Sequence, residues 1–170
     1  MNQLLGVARF ELRYHLRRPV TWVYAFAMAL FGFLAMTTDI TSGGGRVLSN
    51  APWMIDQLLM QFSLIGTVFT SAIAGTAILR DFELKAHELL FTTQLSRPAF
   101  VFGRFIGAAV VTTLVLSASA LGLWLGSWMP WLDADKIGAV PAFTYLWPLL
   151  LYAVPTGLLA SALFFGVGVV

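Results

Sequence analysis

Cysteine is absent from this chain of 170 residues, which excludes a disulfide framework and any thiolate-ligated metal. Charge is scarce as well: Asp, Glu, Lys and Arg make up 11% of the residues, against about a quarter in soluble domains. Hydrophobic residues reach 59% and mean hydropathy is +0.83, so the chain reads as an integral membrane protein. No Gly-x-x-x-x-Gly-Lys-Ser/Thr loop occurs, hence no ATPase site of its own. His15 and His87 stand far apart with no His-Glu-x-x-His motif, which leaves no ordinary zinc site. The long apolar runs contain no carboxylate, histidine or base, which counts against an ion-coupled carrier and against serine catalysis inside the membrane. A net charge of +2 is small, and no nucleic-acid partner is expected. A cleavable signal peptide is also missing, because four arginines and Glu11 precede the first apolar run, which is too long for a signal core.

What is present is a series of apolar runs separated by short charged stretches. Residues 1–18 carry Arg9, Arg13 and Arg17 at four-residue spacing, followed by Arg18. On a helix these form a basic stripe, with Leu5, Leu12 and Leu16 on one side and Val7, Phe10 and Tyr14 nearly opposite. The plain interpretation is a basic flank that sets topology; the sharper one is an interfacial helix along the headgroups with two apolar neighbours. Pro19 to Thr38 has no charge, enough to cross a hydrocarbon core of about 30 Å, with Trp22 and Tyr24 placed as interfacial anchors. Asp39 to Asp56 follows as a polar loop, in which Gly43-Gly44-Gly45 lacks the flanking residues of a phosphate cradle. Gln57 to Leu79 and Phe105 to Leu132 are again free of charge and rich in Gly, Ser and Thr, which permits close helix packing or, alternatively, lines a polar path. Trp124, Trp128 and Trp131 would form an aromatic belt. Ile137 to Val170 is apolar but interrupted by Pro141, Pro148 and Pro155, and the last two should kink a helix. No charged flank closes that run, so a longer parent chain is expected.

Between the second and third runs, Arg80 to Arg104 holds three of the eight acidic residues and four of the ten basic ones. Asp81 precedes Lys85, and Glu83 precedes His87, at the favourable acid-first spacing of four. Phe82, Ala86, Leu89 and Leu90 recur at helical spacing, so a short amphipathic helix is expected, then a break at Ser96-Arg97-Pro98. Lys and Arg number eight in the N-terminal segment and this stretch together, against Arg46 and Lys136 in the other two loops. That bias puts the N-terminus and the central stretch in the cytoplasm. An apolar anchor ringed by steering charge suits a soluble partner, although an ordinary charged loop explains the same residues.

Asp81 and Glu83, then Glu88-Leu89-Leu90, Leu95-Ser96-Arg97-Pro98 and Gly103-Arg104 resemble the coupling-helix region of ABC-2 type transporter permeases. Ala86-His87 stands where that family commonly has Gly-Thr. The resemblance covers the whole chain. It implies an all-α integral membrane fold: an interfacial elbow helix over 1–18 and a transmembrane domain over 19–170, a partial permease bundle. Spans are expected at about 20–38, 57–79, 101–128 and 144–170, with a cytoplasmic coupling loop at 80–100 and outer loops at 39–56 and 129–143. It further implies that the chain is not an enzyme by itself and binds no cofactor. ATP and magnesium would belong to a partner ABC ATPase, coupled through Asp81, Glu83, Glu88, Leu89, Leu90 and Arg97, with Arg9, Arg13, Arg17 and Arg18 on the elbow. The other partners implied are the lipid bilayer and a second permease half or protomer, and the location is the bacterial cytoplasmic membrane. Phe10-Glu11-Leu12-Arg13-Tyr14, Asn50-Ala51-Pro52, Met129-Pro130-Trp131 and Ser161-Ala162-Leu163-Phe164-Phe165 are more narrowly similar to large bacterial permeases ending in an M1 aminopeptidase-like domain. On that resemblance this chain is an amino-terminal part, and the alternative function is a membrane anchor or scaffold for a remote peptidase-like domain, without transport.

Overall fold

The computed structural model describes residues 2–38, 48–83, 96–132, 134–139 and 141–169, and among them there are helices and turns but no strand. Helix α1 spans Asn2–Arg17 and α2 Pro19–Thr37. Between them Arg18 is extended (φ −83°, ψ 127°), and Pro19 opens α2, where its missing N–H has no acceptor to lose. Helix α3 covers Pro52–Glu83, 32 residues or about 48 Å. It starts before the charge-free run, because Pro52 suits a first turn, and it continues past Arg80, so Asp81 and Glu83 belong to the same helix as the apolar residues. Helix α4 is Arg97–Gly126. Ser96 is extended just ahead of it (φ −69°, ψ 133°), and of the expected break at Ser96-Arg97-Pro98 the last two residues are helical: Pro98 falls in the first turn and leaves Arg97 helical.

A single 3₁₀ turn, Ala134–Lys136, precedes α5 (Ala142–Pro148). A π turn, Leu149–Ala153, leads into α6 (Val154–Val169). The kink that Pro148 and Pro155 impose is thus taken up as a widened turn, which absorbs the missing donor and the ring without ending the helix. Three helices are long and apolar enough to cross a membrane, Pro19–Thr37, Pro98–Gly126 and Ala142–Leu163, and they make this a membrane-embedded protein. Its outward residues are large and apolar, among them Phe26, Val68, Leu121 and Leu163, as lipid requires and water does not.

Helix α4 is the axis of the bundle and packs on α1, α2, α3 and α6. Glycine sets how closely. A Cβ on Gly122 would run into the Ala29 carbonyl oxygen, and one on Gly32 into that of Ser119, so α2 and α4 meet backbone to backbone. One turn on, a Cβ at Gly126 would lie 2.8 Å from that of Met36. The partners advance in the same sense along both helices, so α2 and α4 run parallel. On the other side of α4 the fit is made by side chains: Leu116 beside Gly66 of α3, and Thr113 beside Gly157 of α6. Met28, Ile55, Val111, Val115, Leu116 and Leu123 form the fully buried centre.

Many of the hydroxyls among the described residues are satisfied locally. Thr67, Thr70, Ser71, Ser117, Ser119 and Ser127 each donate to a carbonyl three or four residues back. The Ser161 hydroxyl differs, lying 3.4 Å from Thr112 Oγ1 and linking α6 to α4. Two aromatic expectations shift as well. Tyr24 packs inward on Phe69, with ring centroids 5.3 Å apart, and Trp124 is half-buried, whereas Trp22, Trp128 and Trp131 face outward.

Candidate functional site

The residues that carry charge into the bundle lie where α1 meets the first turns of α4. Two glycines one turn apart make the contact possible. A Cβ on Gly103 would sit 2.7 Å from Val7 Cβ and 2.9 Å from the Leu4 carbonyl oxygen, and one on Gly107 would sit 2.6 Å from Glu11 Cβ. Turn by turn the partners advance together, so α1 runs beside α4 over successive turns.

Into this seam α1 turns Glu11, fully buried, and His15, 3% exposed. Glu11 Oε1 is 3.2 Å from His15 Nε2, and Glu11 Oε2 is 3.9 Å from the Nε of Arg104, itself 5% exposed. A buried carboxylate without such partners would be strongly unfavourable; here a guanidinium and an imidazole share it. Arg104 is held from its other side by the Phe100 ring, 4.7 Å from its guanidinium carbon. Tyr14 meets His15 edge to face at 5.4 Å, and Arg18 lies over Tyr14 at 4.4 Å. At the start of α1, the Ser96 N–H donates to Gln3 Oε1 at 3.5 Å. At its end, the Trp22 indole N–H donates to the Leu16 carbonyl oxygen at 2.8 Å, fixing the corner into α2. The seam therefore ties the residue that follows segment 84–95 to both α1 and α4.

Each apolar face of α1 expected from the sequence packs only at one edge, through Val7 against Gly103 and through Leu12 against the core. Leu5 is 59% and Phe10 61% exposed, and the strip between those faces, carrying Glu11 and His15, enters the bundle. Arg9, Arg13, Arg17 and Arg18 are all exposed, and the first three lie on a stripe of α1 facing away from Glu11. Of the coupling residues, Asp81 and Glu83 fall in the last turn of α3, and Arg97 is the first residue of α4. Glu88, Leu89 and Leu90 lie outside the described residues. Sequence reasoning passed over Glu11 and Arg104. The signal for them was there: Glu11 and His15 have the same acid-first spacing that marked Asp81 and Lys85, and Gly103 and Gly107 flank Arg104.

At the opposite end of the bundle a second polar cluster is purely architectural. Asn50 Nδ2 donates to the carbonyl oxygens of Gly138 and Ala139 at 3.1 and 3.3 Å, and Asn50 Oδ1 accepts from the Gly138 N–H at 2.8 Å. Together with the Ser49 N–H, 2.8 Å from the Lys136 carbonyl oxygen, it pins residues 136–139 to the start of α3. Among the described residues no group of His, Asp and Glu is arranged to hold a metal. No family model matches the chain, and no curated protein is matched by its sequence.

Proposed function

We propose that this chain is the amino-terminal membrane segment of an ATP-driven exporter of the ABC-2 permease type, with α3 as a fourth span and the N-terminus in the cytoplasm. The observation that carries this reading is the seam at α4. Segment 84–95 joins the end of α3 to Ser96, Ser96 is hydrogen-bonded to α1, and Arg104 is ion-paired with the buried Glu11. Because α4 packs on α1, α2, α3 and α6, force applied to the segment from outside the bilayer reaches every helix through one element. A membrane anchor has no use for that path.

In this reading a soluble ATPase subunit binds ATP and magnesium and presses on the segment when it closes. Asp81, Glu83 and Glu88 steer it, Leu89 and Leu90 anchor it, and Arg97 holds the bend near the headgroups. A second permease half or protomer completes the pore. These roles are mechanical, and the chain itself catalyses nothing. The deciding experiment is purification of the full-length protein from its native membrane in mild detergent, with mass spectrometry of what accompanies it. An ABC ATPase in stoichiometric amount, lost on Glu88→Lys, supports the proposal. Its reproducible absence, where a control ABC complex survives, favours an anchor or scaffold instead.

A further inference from the structure

The positive charge on α1 is uncompensated within that helix, because Glu11, its one acidic residue, is turned inward to His15 and Arg104. Arg9, Arg13 and Arg17 remain exposed along one stripe. From these facts we infer that Arg13 and Arg17 form a binding site for the phosphate of an anionic phospholipid at the corner between α1 and α2. The argument does not depend on the tilt of α1. Helix α2 begins at Pro19 and carries no charge through Thr37, so the hydrocarbon edge lies near Pro19. With Arg18 extended and α1 rising 1.5 Å per residue, Arg17 is at most about 7 Å and Arg13 at most about 13 Å from that point along any direction. The polar layer on each side of a bilayer is about 5–8 Å thick, and an arginine side chain spans the remainder. Arg9, up to about 19 Å away, reaches the layer only if α1 tilts towards it.

The corner itself is held in place. The Trp22 indole bonds to the Leu16 carbonyl oxygen while the ring stays 55% exposed, one turn inside α2, and Arg18 is stacked on Tyr14. Two guanidinium groups one turn apart, free of any acid on their own helix, match a phosphodiester with bidentate hydrogen bonds, which a zwitterionic headgroup largely neutralises internally. The inference rests on α2 crossing the bilayer and is independent of any ATPase.

The test is native mass spectrometry of the full-length protein equilibrated in detergent with equal amounts of phosphatidylglycerol and phosphatidylcholine. Wild type should retain the anionic lipid about tenfold or more over the zwitterionic one, from roughly fivefold per surface arginine. R13Q/R17Q should fall below about threefold, R17Q alone should lose about half the preference on a logarithmic scale, and R13K/R17K should keep most of it. R9Q, and the control R46Q/K136Q with the same loss of charge as the double variant, should change little. Equal retention of both lipids by wild type, or an unchanged preference in R13Q/R17Q, overturns the site. Loss of an acidic co-purifying protein in R13Q/R17Q with lipid preference intact overturns it in favour of a protein partner. A fluorescent label at Leu5→Cys, read in vesicles, separates the two premises: a blue shift without lipid preference leaves α1 at the bilayer and rejects the site alone.

Discussion

Removing the Glu11 carboxylate should destabilise the protein far more than removing any exposed charge on the same helix. Glu11 is fully buried between α1 and α4, so Glu11→Ala leaves Arg104, 5% exposed, without its carboxylate and opens a cavity beside Gly107. Breaking a buried pair from one side typically costs 3–5 kcal/mol. The 3.9 Å separation and the residual contact of Arg104 with Phe100 argue for the lower end, about 3 kcal/mol. Arg104→Met should cost a similar amount or somewhat less, because it leaves the buried carboxylate with His15 but without the guanidinium. The double variant Glu11→Met, Arg104→Met removes both charges and fills the space with apolar volume, so it should lie within about 1–2 kcal/mol of wild type rather than near the sum of about 6. Denaturant unfolding of the full-length protein in mixed micelles, followed by tryptophan fluorescence and with Glu11→Met added as the matching single variant, gives all four corners of the cycle. If Glu11→Ala falls within about 0.5 kcal/mol of wild type, or the double variant equals the sum of the singles, the pair does not hold α1 to α4.

Glycine substitutions separate contact from propensity. Gly122→Ala puts a methyl group against the Ala29 carbonyl oxygen and should lower the unfolding midpoint clearly, whereas Gly6→Ala meets nothing within 4 Å and should be neutral or gain up to about 1 kcal/mol of helix propensity. Asn50→Ala removes all three bonds to Gly138 and Ala139, so hydrogen exchange in residues 134–139 should accelerate about tenfold or more, for a loss of roughly 1–3 kcal/mol locally. Unchanged protection there would mean that the Ser49 to Lys136 bond alone holds the turn.

How much of this was legible in the sequence depends on the physics at each point. The apolar run that became α2, the start of that helix at Pro19 and the disturbance between Pro148 and Pro155 all follow from local rules of hydropathy and backbone geometry. The buried side of α1 does not. The sequence suggests two apolar neighbours for α1, lipid on one side and protein on the other, but the strip that enters the bundle carries Glu11 and His15, because Arg104 waits on α4 nearly a hundred positions away. A pair distant in sequence makes a polar strip the better one to bury, and no window along the chain can register that. The same holds for Asn50, whose turn-like setting in Asn50-Ala51-Pro52 suggested a helix start and not a clamp on Gly138.

The character of the contacts around α4 implies which helices move together. Against α2 the meeting atoms are backbone, Gly122 with Ala29 and Gly32 with Ser119, and against α1 the Leu4 carbonyl oxygen and Val7 press on Gly103. Backbone cannot change rotamer, so sliding there requires the helices to separate and lose packing along their length. Against α3 the nearest atom belongs to the Leu116 side chain and against α6 to the Thr113 hydroxyl, with Thr113 backbone atoms behind it at 3.3–3.4 Å; both side chains can change rotamer, and the α6 end also contains the π turn Leu149–Ala153. A force on α4 should therefore carry α1, α2 and α4 as one body and be taken up as shear against α3 and α6. Pairs of spin labels in the full-length protein check this, one pair on Phe31 and Leu121 and the other on Leu64 and Leu114, all outward-facing residues. Under conditions that change the state of the protein, the first distance should stay fixed and the second should shift or broaden. A change of several ångströms in the first pair with the second constant would show that the glycine contacts are the hinge, and the division into two bodies would be wrong.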